Sequence, residues 1–168
     1  AWGQPVNLGD SINTPGDEQS PFIHPDNQSL YFSSQGHMNM GKGDIFLSRR
    51  GEGGTWGKAE NLGYPINTHH DEIGLIVGPL GRLAYFSSNR LNDRGMDIYE
   101  FELPSEYRPL PVSYVKGRVF DSETSRGINA AFELINLETG DITMVARSDM
   151  GGGNFLLPLP SNRNYALN

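Results

Sequence analysis

No cysteine occurs among the 168 residues, which excludes a disulfide framework and a thiolate metal site. The absence leaves the compartment open, because many secreted proteins also lack cysteine. No apolar run approaches the about 20 residues that a bilayer span requires. The chain opens on Ala1-Trp2 without a charged or apolar leader, so neither a membrane span nor a signal peptide is expected. Nowhere do apolar residues recur at 3.6-residue spacing for three turns, so almost no helix is expected. Basic residues are also scarce: 13 Lys and Arg stand against 20 Asp and Glu, a net charge of -7. The imbalance sits in the first part, where residues 1–103 hold 13 acids against 7 Lys and Arg, while 113–168 hold 6 against 5. Binding to a phosphate backbone rests on clustered Lys and Arg, so nucleic acid is not the expected partner. Turn formers are abundant, with 21 Gly and 11 Pro, and together these features predict an all-β, loop-rich chain.

The chain repeats itself. Trp2-Gly3 leads into NLGDSINT and GDE, and 54 positions later Trp56-Gly57 leads into NLGYPINT and HDE. Asp17-Glu18 answers to Asp71-Glu72, and LYFSSQ at 30–35 answers to AYFSSN at 84–89. The register slips by one residue only in a Gly-rich loop, so that Asp44-Ile45 answers to Asp97-Ile98 at a spacing of 53. A period of this size, with short apolar runs between turns, is the pattern of a propeller blade array. Strands are predicted at 20–24, 29–34 and 44–50, and again at 73–78, 82–88 and 97–103. His24-Pro25-Asp26-Asn27 and Gly78-Pro79-Leu80-Gly81 read as tight hairpin turns.

Three prolines within 104–112 mark a Pro-rich linker, since they cannot continue a sheet ladder. From Ser113 a different alternation begins, with an acidic turn at Asp121–Glu123 and a Gly-rich turn before Phe155. The expected organisation is therefore two repeats in 1–103 (2–50 and 56–103), a linker, and a smaller β module over 113–168.

Because each position has a counterpart, candidate chemistry can be weighed within the chain. His69 and His70 precede Asp71 but answer to Pro15 and Gly16, so the repeat does not require imidazole there. His24 and His37 stand alone, without zinc spacing, and no metal site or cofactor is expected. Asp93 and Asp97 suggest a calcium loop, yet Asp93 answers to Asn39 and the spacing is not that of an EF-hand. Asp44 and Asp97 read instead as turn caps. Ser33-Ser34 and Ser87-Ser88 lack a nucleophile motif and a repeated histidine, and identical repeated acid pairs do not suit glycoside hydrolysis. An enzyme is not expected. Asp17, Glu18, Asp71 and Glu72 are the candidate partner-binding residues, as a ring of negative charge on one face. The competing reading has these carboxylates accept hydrogen bonds from neighbouring loops. Trp2 and Trp56 read as packing anchors, or as sugar-stacking platforms if exposed.

The repeat motif of NLG, INT, DE, YFSS and DI resembles the TolB-like propeller repeats of OmpA-family periplasmic proteins from Bacteroidetes-type bacteria. The segment VKGRVFDSETSRGINAAFELIN, with TGDITMVARSDMGGGNFLLPLP and YAL, resembles the carboxypeptidase regulatory-like domain, a small transthyretin-like β-sandwich. The resemblance implies a partial β-propeller of two blade repeats followed by that sandwich, with the sandwich truncated at Asn168 and further blades supplied elsewhere. It further implies the periplasm, association with the outer membrane, and envelope or type IX secretion proteins as partners. Peptidoglycan would be reached only through domains absent from this sequence. The expected function is a non-enzymatic scaffold or protein-interaction fragment, and the alternative is a carbohydrate- or peptidoglycan-binding module.

Overall fold

A computed structural model describes residues 3–51, 53–91 and 95–168; Trp2 and Asp93 lie outside them. The described residues are all-β, as predicted, with twelve strands and one short 3-10 turn. They form two compact units, Ala1–Leu110 and Pro111–Asn168.

In the first unit each repeat gives an antiparallel sheet in simple meander order. Strands β1 (Glu18–Ile23), β2 (Ser29–Ser34) and β3 (Asp44–Arg49) belong to the first repeat, and β5 (Glu72–Val77), β6 (Leu83–Ser88) and β7 (Asp97–Glu102) to the second. All six fall where β-branched and aromatic residues predict them. The two registers match position for position: Glu18 faces Ser34 and Phe22 faces Tyr31, while Glu72 faces Ser88 and Ile76 faces Tyr85. Both first strands carry a bulge at one equivalent point, where Ser20 and Gly74 adopt positive φ of 52° and 72°.

One strand is not legible as such in the sequence. Glu60–Asn61 forms β4, which pairs with β3 through Phe46 and Leu47 and completes a sheet of order β1-β2-β3-β4. The opening of the second repeat is thus the last strand of the first sheet. Leu62 and Ile66 follow it into a core with Tyr31, Ile45, Leu47, Leu75, Val77, Ala84, Phe86 and Leu103, which joins the two sheets. A smaller cluster of Ile12, Leu30, Phe32, Phe46 and Ala59 lies under Trp56.

Both hairpin turns close as read: Asn27 N donates to His24 O at 2.9 Å with Asn27 at φ 57°, and Gly81 N donates to Gly78 O at 2.8 Å with Gly81 at φ 74°. Residues 104–110, within the expected linker, are fastened to the first sheet. Tyr31 Oη donates to Tyr107 O at 2.6 Å, Arg49 Nη2 to Arg108 O at 2.8 Å, and Leu110 N to the Asp26 carboxylate at 2.9 Å. Asp26 is buried, which disfavours its charge. The His24 ring and donors from Gln28, Ser29 and Leu110 outweigh that and hold its carboxyl below the usual range.

The second unit contains β8 (Val112–Arg118), β9 (Ala131–Asn136), β10 (Ile142–Arg147), β11 (Asn154–Pro160) and β12 (Tyr165–Leu167). β8 pairs with β11, and β9 lies between β10 and β12, all antiparallel. Val112, Phe132, Leu134 and Leu157 are its buried apolar residues, with Phe132 and Phe155 edge to face at 4.9 Å between ring centroids. The Gly-rich turn is organised by Asp149, whose Oδ1 accepts from the Gly151 and Gly153 amides and whose Oδ2 accepts from Asn154 N at 2.9 Å. The backbone amide of Gly152, the Asn154 side chain and the remaining amides hold this carboxyl at about 2, below the usual 3.8. A depressed pKa contributes stability that is present above the unfolded value and is lost as pH falls through the folded one. Amide exchange at 151–154 is therefore expected to lose protection between about pH 4 and about pH 2, and in Asp149→Ala the protection should be absent at neutral pH too.

Candidate functional site

The paired acids of each repeat separate into two environments. Glu72 is fully buried: Thr68 N donates to its Oε2 at 2.8 Å, and Thr68 Oγ1 and Ser88 Oγ donate to Oε1 at 2.7 Å each. Arg90 Nη2 lies 3.2 Å from the same Oε1. Glu18 has the same three partners in its own copy, Thr14 N at 2.9 Å, Thr14 Oγ1 at 2.7 Å and Ser34 Oγ at 2.8 Å. Burial opposes its charge, but these donors and nearby His37 hold its carboxyl below the usual value. Each glutamate therefore ties the loop before its strand to the end of the next strand. A carboxylate so occupied is committed to the fold.

Asp17 and Asp71 differ from their neighbours. Asp17 is exposed and Asp71 half-buried, and their backbones carry the structural bonds: Gln35 N donates to Asp17 O at 3.0 Å, and Asp71 N to Asn89 Oδ1 at 3.0 Å. Of the four predicted partner-binding residues, these two make no side-chain hydrogen bond among the described residues. The split falls at the strand boundary: Glu18 and Glu72 open β1 and β5, and Asp17 and Asp71 belong to the loops just before them.

A second pair of equivalent devices escapes the sequence comparison because the residue types differ. Arg90 donates to Pro65 O at 2.9 Å and to Ile66 O, with its guanidinium 4.9 Å and 5.2 Å from the ring centroids of Phe86 and Tyr99. In the first repeat His37 takes this place: its Nε2 meets Ile12 O at 2.9 Å, and its ring packs beside Phe32 and Phe46 at 5.8 and 5.1 Å. Both anchor the carbonyl of the INT isoleucine. The shared signal is a cation-capable side chain just after the YFSS strand, displaced by one residue.

Asp44 is buried and accepts from Met40 N at 2.6 Å, the turn-cap role expected of it, and also from Asn61 Nδ2 at 2.7 Å. Asp97 is exposed. His24 is buried in its turn, its Nε2 3.3 Å from Gly78 O of the second repeat. The His69 and His70 rings lie 4.0 Å apart between centroids, tilted by 41°, in a loop with Tyr64 and Met40 nearby. Among the described residues no group of three or more His, Asp or Glu is arranged to hold a metal ion. Trp56 is half-buried against the smaller apolar cluster, and the Arg50 guanidinium lies over its ring at 4.6 Å. It is a packing residue.

The missed contributors are Asn61 and Asn67. Asn67 is buried; its Oδ1 accepts from Ile45 N, and its Nδ2 donates to Ile45 O, both at 2.8 Å, and to Asn61 Oδ1 at 2.7 Å. The recurrence of both asparagines in NLG and INT was the available signal. Among the described residues no helix is long and apolar enough to cross a membrane. Compared with family models, curated proteins and solved structures, the chain matches none.

Proposed function

We propose that this chain is a non-enzymatic interaction module: a two-repeat section of a TolB-like propeller joined to a transthyretin-like sandwich, acting as a scaffold in a periplasmic, outer-membrane-associated assembly. The observation that carries this reading is the fate of the repeated polar residues. Thr14, Glu18 and Ser34, and Thr68, Glu72 and Ser88, spend their hydrogen bonds holding loops in one shape, which is how a platform for partner recognition is built. The matching strand order of the two sheets, with β5 packed against β1 and β2, supports the propeller reading. The two small antiparallel sheets of the second unit support the sandwich reading. Residues 1–103 carry the acidic excess, so a partner with a basic face, such as an envelope or secretion-system protein, fits best.

In-cell cross-linking of the protein, with identification of its neighbours, tests the scaffold. Envelope proteins are expected among them, and reconstituted binding should weaken as ionic strength rises. The double variant Asp17→Asn, Asp71→Asn should weaken it further while leaving thermal unfolding unchanged. Recovery of glycan alone, held equally at low and high salt, would replace this reading with the carbohydrate-binding one.

A further inference from the structure

The second repeat closes the first through a plug and a socket. The socket is Asp44-Ile45 at the start of β3; the plug is the 61–67 segment. Asn61 caps the Asp44 carboxylate, Leu62 N donates to Ile45 O at 3.1 Å, and Asn67 bonds both backbone groups of Ile45. Each half occurs twice in the chain, but only one pair is mated.

The spare plug is segment 7–13, and it already carries the internal hydrogen bonds of the mated one, although the Tyr64-Pro65 bond of the mated plug is cis and its counterpart at Asp10-Ser11 is trans. Gly9 N donates to Asn7 Oδ1 at 2.8 Å as Gly63 N does to Asn61 Oδ1 at 2.8 Å. Asn13 Nδ2 donates to Asn7 Oδ1 at 2.9 Å as Asn67 Nδ2 does to Asn61 Oδ1 at 2.7 Å. Asn13 N also bonds Gly9 O at 2.9 Å, as Asn67 N bonds Gly63 O at 2.8 Å. What differs is cover: Leu8 is 44% exposed, whereas Leu62 is 2% exposed.

The spare socket is Asp97-Ile98 on β7. Among the described residues β7 has β6 on one side and no strand on the other. Ile98 is 79% exposed, whereas Ile45 is 0% exposed. Beside it Tyr99 and Phe101 are half-buried in a recess that Arg90 also lines, whereas Phe46, which corresponds to Tyr99, is 2% exposed in the cluster with Ala59 and Trp56. A bare strand edge that begins with two exposed apolar side chains, Met96 and Ile98, is a template for strand addition.

We propose that segment 7–13 of one copy of this chain seats on the β7 edge of a second copy, with Asn7 toward Asp97, and Leu8 and Asn13 toward Ile98. The occupant is argued from identity: the plug that fits this socket type within the chain has the sequence NLG-x-x-INT, and the unmated example is the chain's own. The contact is head-to-tail, so every added copy offers a fresh socket until a ring closes. It does not depend on the partner proposed above.

Leu8→Asp spoils the plug and Ile98→Lys spoils the socket, both at exposed positions, and circular dichroism would verify that each variant folds. By sedimentation the unaltered chain is expected to exceed its 18.5 kDa mass increasingly with concentration. Each variant alone should remain a single chain. An equimolar mixture should form a one-to-one pair and nothing larger, because it contains one good plug and one good socket. An unaltered chain that stays single up to about 1 mM, the limit of weak association, would overturn the proposal. So would assemblies that survive either substitution, or a mixture that does not pair.

Discussion

Glu72→Ala is expected to cost the first unit about 3–5 kcal/mol, the range for removing one partner of a buried charge pair, and Glu18→Ala about 1–2 kcal/mol, the range for hydrogen bonds at a partly exposed carboxylate. The two residues share three donors of the same types, so the difference isolates two features. Glu72 is fully buried whereas Glu18 is half-exposed, and Glu72 meets the Arg90 guanidinium at 3.2 Å where Glu18 has only His37 nearby. With Glu72 gone, the Thr68 amide and hydroxyl and the Ser88 hydroxyl lose their acceptor inside the protein, and the Arg90 guanidinium loses its counter-charge. Denaturant unfolding of both variants checks this, and a fall in Tm of more than about 10 °C is expected for Glu72→Ala. Equal and small losses would mean that the glutamates act as surface groups after all. The Glu18 carboxyl adds a pH signature. It is held below its ordinary 4.5, so its contribution is present above about that value and is lost as pH falls through the lowered folded value.

The strands were legible in the sequence because two sources of information agreed. Composition marked SLYFSS and LAYFSS as β, and the internal repeat fixed both in the same register. The phase of the repeat was not legible. Self-similarity gives a period without saying where the structural unit begins, so NLG read as the start of a repeat when Asn61 and Leu62 complete the preceding sheet. Two-residue β4 has no strand composition, since Glu60 and Asn61 are both poor β formers. It exists because the β3 edge has backbone groups to satisfy. The acid pairs show the same limit at the level of one residue: Asp-Glu recurs as a unit, while the glutamate opens the strand and turns to the loop's donors and the aspartate stays in the loop before it. His37 and Arg90 were hidden because equivalence of position was offset by one residue and equivalence of chemistry lay in a shared contact to a carbonyl. Asn67 was visible in both copies but silent, because the polar side chain that bonds a strand edge looks in sequence like one that caps a turn.

Asn67→Ala should cost about 2–4 kcal/mol, as a buried backbone amide and its local network lose their partner, whereas Asn13→Ala should stay within about 0.5 kcal/mol. The residues occupy identical motifs and make the same bond to the preceding asparagine. Only Asn67 also meets a strand edge, at Ile45 N and O. Urea unfolding at dilute protein concentration, where each chain is alone, measures this difference. Asn61→Ala belongs to the same test, because it removes the donor to Asp44 and the acceptor that orients the Asn67 amide. Its loss and that of Asn67 should therefore be less than additive. A large loss for Asn13→Ala in the dilute chain would show that the INT asparagine stabilises its own loop. The expected asymmetry instead makes it a connector, whose free energy appears only when a β edge is present to receive it.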